Sequence, residues 1–386
     1  MKKRTVGIIA EYNPFHNGHI YHINMVKKMF PDSLIVLILG GNFTQRGGIS
    51  FLDKWDKTKI ALKYGVDLVV ELPFPFTVAS SDIFANASLE LCHYLQVTDL
   101  VFGSESSNIN SLKELATCQL HNPLFNDLVK VYLKEGSNYP TALSKALENL
   151  TNKSYKLPND ILGISYIKAI IANNYDIIPH TIKRTTDYHD INLKGKISSA
   201  TSIRKALLEN QDIKEVVPKE TNEALKHSIP NLNNYFLLLK YKIISSEDLT
   251  IYNLVDSNLN NRLKKEIQYA TDLDDLIKRV KTKNLTYARL NRILIYILCS
   301  YKKEDAKNFK HINYIRVLGF TTAGKSHLNT IKKDLTIPLI SKFTKENDPI
   351  FDYTYQTVKI YSLGFPHEIS NKLISDEYKK IPIKEI

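Results

Sequence analysis

Cysteine is scarce in this chain, and its three copies, Cys92, Cys118 and Cys299, are scattered without a C-x-x-C pair. A disulfide framework and a cysteine-built zinc site are therefore not expected, and the usage suits a reducing cytosol. Long apolar runs are also missing: none approaches the roughly 20 residues that a membrane-spanning helix needs. The basic start Met1-Lys2-Lys3-Arg4 is followed by a short apolar run, residues 6–10, that ends at Glu11. That is shorter than the about 7–15 apolar residues of a secretory leader. These lysines are expected to flank a first strand, in a cytoplasmic protein with no membrane partner. Internal repeats and long low-complexity stretches are absent as well.

What the chain does have is size and positive charge. Its 386 residues suffice for two domains, each with a core of its own. A share of 43% hydrophobic and 24% charged residues is the balance of a globular protein. The net charge of +12 is unevenly spread. Residues 1–210 hold 23 Lys+Arg against 19 Asp+Glu, whereas residues 211–386 hold 29 against 21. Such an excess is the electrostatic footprint of a nucleic-acid partner. A lysine-rich surface from an AT-rich genome would look the same, so composition alone leaves both open.

The first hundred residues alternate apolar runs with helical patterns, which predicts an α/β fold with a Rossmann-like parallel sheet. Strands are expected at residues 5–10, 34–39, 68–71 and 99–102, with helices at 17–29, 53–64 and 81–95. Residues 111–173 are mainly helical, a fifth strand falls at 176–184, and a helix runs from about 200 to 209. Beyond Val217-Pro218 the chain changes character. Segments 234–244, 259–270 and 290–301 read as helices with few convincing strands. This predicts a catalytic domain over residues 1–215 and a mainly α-helical, basic domain over 216–386.

The densest chemistry sits at His16-Asn17-Gly18-His19, between the first strand and the first helix. A helix N-terminus presents unpaired N–H groups and a partial positive charge, a ready site for phosphate. Two histidines three residues apart can face phosphates together, and Gly18 lets a nucleotide approach the backbone. Two surface histidines beside a turn glycine, or a metal site made with His22, are the other readings. The strand before the motif and the apolar face after it favour a nucleotide. No carboxylate or cysteine cluster supports zinc.

A second constellation is Ile197-Ser198-Ser199-Ala200-Thr201-Ser202-Ile203-Arg204-Lys205. A serine here is a good N-cap, and Arg204 and Lys205 lie near the positive end of the following helix, where cations need an anion for company. Asn159 and Asp160 open another helix; they either cap it or serve the site, Asn159 reading adenine or ribose and Asp160 orienting a partner or Mg²⁺. Gly103 allows close backbone approach or simply makes a turn, and Arg184 at the end of a strand contacts phosphate or solvent.

Residues 319–326, Gly-Phe-Thr-Thr-Ala-Gly-Lys-Ser, fit the P-loop pattern. The fit is discounted, because a P-loop needs a strand before it and a parallel sheet after it. Phe309, Ile312, Ile315 and Leu318 recur every three residues, which predicts a helix with Gly319 as its C-cap.

With H-x-G-H after the first strand and Ser-Ser-x-x-x-x-Arg after the last, the first half resembles the HIGH-type nucleotidyltransferase superfamily. There is no Lys-Met-Ser-Lys-Ser loop of the kind found in class I aminoacyl-tRNA synthetases. The run Gly7-Ile8-Ile9-Ala10-Glu11-Tyr12-Asn13-Pro14-Phe15-His16-Asn17-Gly18-His19 is similar to the bacterial tRNA(Met) cytidine acetate ligase family. So are Gln45-Arg46-Gly47, Glu71-Leu72-Pro73, Phe102-Gly103-Ser104-Glu105, Pro158-Asn159-Asp160-Ile161-Leu162-Gly163 and Arg316-Val317-Leu318-Gly319-Phe320. The likeness spans nearly the whole chain.

The resemblance implies that ATP, with Mg²⁺, activates acetate as acetyl-adenylate. The acetyl group then passes to N4 of the wobble cytidine of elongator tRNA(Met). It also implies site residues: His16, His19, Ser199 and Arg204 as catalytic groups, and the run from Ile9 to His22 (Ile9, Ala10, Glu11, Tyr12, Asn13, Pro14, Phe15, His16, Asn17, Gly18, His19, Ile20, Tyr21, His22) with Gly103, Asn159 and Arg184 around ATP. The competing readings are an adenylyltransferase for a small phosphate-bearing metabolite and a non-catalytic tRNA-binding protein with a nucleotide site.

Overall fold

The computed structural model describes residues 4–153, 157–184, 193, 195–227, 229–342 and 348–385. Met1, Lys2, Lys3 and most of the polar loop after residue 184 lie outside the described residues. Among the described residues, eight strands form one sheet: β1 (Thr5–Ala10), β2 (Leu34–Gly40), β3 (Leu68–Leu72), β4 (Asp99–Ser104), β5 (Ile178–Lys183), β6 (Ile315–Thr321), β7 (Leu339–Ile340) and β8 (Ile383–Glu385). Their order is β5-β4-β1-β2-β3-β6-β7, with β8 paired to β6. Strands β1 to β5 pair in parallel, and β6 joins β3 antiparallel.

The central strand shows why the sheet forms. β2 reads Leu-Ile-Val-Leu-Ile-Leu-Gly and is buried along its whole length, as a parallel strand covered on both faces must be. Its pleat sends Leu34, Val36 and Ile38 into one core and Ile35, Leu37 and Leu39 into the other. The helices Ser81–Tyr94 and Pro158–Ala172 cover the first face with Leu89, Leu91, Ile164 and Ile167. α1 (Asn17–Met29) and α2 (Lys54–Lys63) cover the second with Ile23, Val26, Ile60 and Leu62.

A third core belongs to the helices Leu232–Ser245, Ser257–Glu266, Leu273–Val280 and Tyr287–Leu298, around Leu239, Leu263, Leu276 and Leu294. It extends to Phe43, Ile49 and Phe74 of the first half. The Tyr296 hydroxyl donates to the Val78 carbonyl at 2.6 Å, and the Tyr361 hydroxyl to the Ser50 carbonyl at 3.0 Å. The helical region is thereby seated on the loops at the C-terminal edge of the sheet.

Two sequence-based expectations are corrected. Residues 315–321 form a strand, not the end of a helix. Ile315 and Val317 point to one core and Leu318 to the other, so the residues alternate between two buried faces and the three-residue spacing was coincidental. Gly319 is not a helix cap: a Cβ there would fall 2.7 Å from Thr58 Cγ2 and 2.8 Å from Leu62 Cδ1, where α2 crosses the strand. The sheet consequently does not end near residue 215.

The P-loop-like segment has the preceding strand that it seemed to lack and a helix after it, yet no loop between them. The Thr322–Ile331 helix follows β6 directly with Thr321 as its N-cap. Gly324 lies inside the first turn, where a Cβ would meet the Asp67 carbonyl oxygen at 2.0 Å. The backbone has no room to cradle a phosphate there.

Candidate active site

The chain runs β1 to β2 to β3, then returns to place β4 on the far side of β1. Such a reversal opens a crevice beyond the C-terminal ends of the strands, the usual ligand position in open α/β sheets. Ile9 and Ala10 end β1 half-buried, and Glu11 to Phe15 form the loop into α1.

His16 is the N-cap of α1. Its Nδ1 accepts the Gly18 amide at 3.0 Å, and its own amide donates to Nδ1 of His19 at 3.2 Å. The two rings stack with centroids 3.8 Å apart. Burial, reinforced by the charges of Arg184 and Arg204, pulls His16 down to about 3. Burial, with the neighbouring imidazoles and Arg184, holds His19 well below its ordinary value. Both are neutral at pH 7, and because both Nδ1 atoms accept, the remaining proton of each sits on Nε2. The motif presents two N–H donors.

Behind them, Tyr12 and Phe15 are buried and support the His19 ring, with Tyr12 4.6 Å and Phe15 5.5 Å from its centroid. Their side chains meet the crevice through His19. Asn13 is equally structural: its amide donates to the Ile49 carbonyl and its Oδ1 accepts the Phe51 amide. Pro14 follows a cis peptide bond. Ile20, Tyr21 and His22 occupy the next positions of α1, half-buried. Burial and Arg184 pull His22 down to about 4.

The Ala200–Leu208 helix makes the opposite wall. Ser199 is its N-cap and accepts the Ser202 amide at 3.0 Å. Arg204 donates to the Asn13 carbonyl at 2.6 Å and to Thr201 Oγ1 at 3.2 Å, which pins its guanidinium over the β1 loop. Asn17 holds the two walls together: its side-chain amide donates to the carbonyls of Lys196 and Glu215. A Cβ on Gly18 would sit 2.8 Å from the His16 ring and 3.4 Å from Ile197.

The third side is the end of β4 and β5. Gly103 faces the Arg184 stem, its missing Cβ 3.3 Å from Arg184 Cγ. Asn159 and Asp160 take part in a reciprocal clamp. Glu105 accepts the amides of Asn159 and Asp160 and the Asn159 side-chain amide, while Asp160 accepts Ser104 Oγ and the amides of Glu105 and Ser106. Asp160 therefore organises the β4 loop.

Sequence reasoning missed Lys57. It is almost wholly buried on α2 and donates to the carbonyls of Glu11, Gly40 and Gly41 at 3.0, 2.8 and 2.5 Å. Burial pulls it down to about 7, whereas three carbonyl acceptors are satisfied together only by the three N–H donors of the ammonium form. Glu11 beside it is raised by burial, opposed by the Gln45 amide and by Lys57, Arg46 and Arg204. The signal in the sequence was two lysines, Lys54 and Lys57, on the face of α2 that also carries Ala61.

The HIGH Nucleotidyl Transferase family model matches residues 3–376. A tRNA(Met) cytidine acetate ligase from a Geobacillus species is 36% identical, covering 98% of this chain and 99% of that protein. The Bacillus subtilis tRNA(Met) cytidine acetate ligase is 34% identical, over 99% of this chain and 97% of its own. Among solved structures, Thermotoga maritima TmcAL without ligand superimposes with a TM-score of 0.90 at 28% identity, and its form bound with alpha-thio ATP with 0.88 at 27%. Each covers 99% of both chains.

Proposed function

The chain belongs to the tRNA(Met) cytidine acetate ligase family of HIGH nucleotidyltransferases, and from that premise we propose that it acetylates N4 of the wobble cytidine of elongator tRNA(Met) with acetate and ATP. An acetate oxygen attacks the α-phosphorus of ATP, pyrophosphate leaves, and acetyl-adenylate forms. The cytidine amine then attacks the acetyl carbonyl, AMP leaves, and the amine gives up a proton.

The observation that carries this reading is the pair of neutral histidines whose Nδ1 atoms are both occupied by backbone amides. Each Nε2–H is left to donate to phosphate oxygens as charge builds on them. Arg204 and the N-terminus of the Ala200–Leu208 helix supply the positive field opposite, and Arg184 adds to it from the third side. Burial keeps water from the acyl-adenylate, and the target base leaves its stack to reach it. The basic part of the chain from 216 to 386 would bind the tRNA backbone. A tRNA substrate places the protein in the cytoplasm, and among the described residues no helix is long and apolar enough to cross a membrane.

Magnesium binds nucleotides through phosphate oxygens and one or two carboxylates. Asp160 does not fit that role, because its carboxylate is consumed by Ser104, Glu105 and Ser106. The test is acetate-dependent exchange of pyrophosphate into ATP: exchange with acetate supports the reading, and exchange with another carboxylate but none with acetate refutes the substrate.

A further inference from the structure

The loop after β2 leads from the nucleotide site to the helical region. At its near end Glu11 accepts the Gln45 amide. At its far end Gly47, at φ +77°, presses on the Tyr287–Leu298 helix so closely that a Cβ would lie 2.3 Å from the Arg292 amide nitrogen. Arg46, next to that contact, is thereby brought beside Arg292, and Arg289 lies one turn before Arg292 on the same side of the helix. Arg289 is exposed; Arg46 and Arg292 are half-buried.

Charges of one sign are thus gathered by a tight backbone contact. Arg292 is lowered by burial and by the charges of Arg289 and Arg46. Among the described residues neither Arg289 nor Arg292 forms an ion pair, and Arg292 Nε is buried without a hydrogen-bond partner. Tyr287 stands exposed at the same end of the helix, with the Lys281 ammonium 5.0 Å above its ring. Clustered guanidiniums beside an open aromatic suit a polyanion that also carries flat bases. The triphosphate wall of His16, Ser199 and Arg204 is built from the start of α1 and the Ala200–Leu208 helix, whereas this cluster is built from the loop after β2 and the Tyr287–Leu298 helix, which leaves it for the second substrate.

We propose that Arg46, Arg289 and Arg292 form a phosphate-binding seam for the single-stranded RNA flanking the base to be acetylated. This rests on the acetate-ligase reading. RNA phosphates held there would present the neighbouring base to the crevice at Glu11 and His16, and the Glu11–Gln45 hydrogen bond links occupancy of the seam to the nucleotide site.

The full-length R289A/R292A variant tests it, beside R289E, whose exposed position leaves the core intact. With elongator tRNA(Met), KM should rise at least tenfold and the salt dependence of binding should flatten by about 1.4 log units per log unit of salt for two lost phosphate contacts. Exchange of pyrophosphate into ATP with acetate, measured without tRNA, should stay within twofold. An unchanged tRNA KM and salt slope in both variants, while the unaltered protein binds tRNA, overturns the seam and leaves the ligase reading standing. Absence of tRNA binding by the unaltered protein refutes the underlying reading instead. Loss of exchange would assign these arginines to adenylation, and loss of binding to polyglutamate with tRNA unaffected would assign them to an acidic protein; either result overturns the proposal.

Discussion

Lys54 Nζ lies 2.7 Å from Glu377 Oε1, joining α2 to the His367–Lys379 helix near the far end of the chain. The pair is half of a buried cluster: Lys54 also meets Glu71 at 2.7 Å, and Arg316 on β6 meets both carboxylates. All four side chains are at most 4% exposed. Removing one member of such a cluster strands an uncompensated charge, at a cost of about 3–5 kcal/mol. Glu377→Ala should therefore lower the melting temperature sharply, checked by calorimetry, while a surface Lys–Asp pair such as Lys130 with Asp127 should contribute almost nothing.

The same cluster predicts the fate of a fragment ending at residue 215. It would lose β6 from beside β3, leaving Lys54 without Glu377, Glu71 without Arg316 and an apolar strand edge open. Such a fragment should aggregate or fail to bind ATP in gel filtration and nucleotide titration. A monomeric, ATP-binding fragment would show that the first half folds alone.

How much was legible beforehand follows from where the determinants lie. β1 to β5 and α1 were readable because each is a local apolar run or face bounded by its own cap, and α1 begins and ends where its sequence pattern does. β6 was not, because Ile-Arg-Val-Leu-Gly becomes a strand by pairing with β3 some 245 residues away, with Arg316 hydrogen-bonded to Glu71. The histidine pair was visible as a motif, whereas its tautomers depend on amides whose placement only the folded turn fixes. Lys57 stayed hidden because its three acceptors come from two different strands' ends.

Lys57→Met should keep the apolar volume and remove three donors. Three buried carbonyls would then lose their partner, for a destabilisation of about 3 kcal/mol. Adenylation should fall by more than stability does, since the Glu11 and Gly40 ends of β1 and β2 would no longer be held together. Urea denaturation and pyrophosphate exchange on the same sample separate the two effects.

His19→Ala should reduce acetate-dependent exchange by about 10²–10³-fold, the loss expected for one donor to developing charge. His19→Gln can return an N–H near the Nε2 position, and should recover about tenfold of that loss. Equal activity in both variants would contradict the donor role.

Stability should fall on the acid side of neutrality. An unfolded histidine titrates near about 6.5, whereas His16 and His22 are held at about 3 and about 4. Between those values and 6.5 the unfolded chain takes up protons that the native state refuses, so unfolding is favoured as pH falls, by at most about 1.4 kcal/mol per pH unit per histidine. Above pH 6.5 these groups contribute no pH dependence. His22→Gln should make the slope between pH 5 and 6 shallower, measured by denaturant titration at each pH.

This chain joins acetate to a tRNA cytidine with cleavage of ATP. Incubation of the purified full-length protein with ATP, isotopically labelled acetate and elongator tRNA(Met), followed by mass spectrometry of the digested nucleosides, tests it directly. Labelled N4-acetylcytidine should appear at the wobble position, dependent on ATP and absent with His16→Ala. Unlabelled cytidine alone, while the same sample supports acetate-independent transfer of AMP to another acceptor, would contradict it.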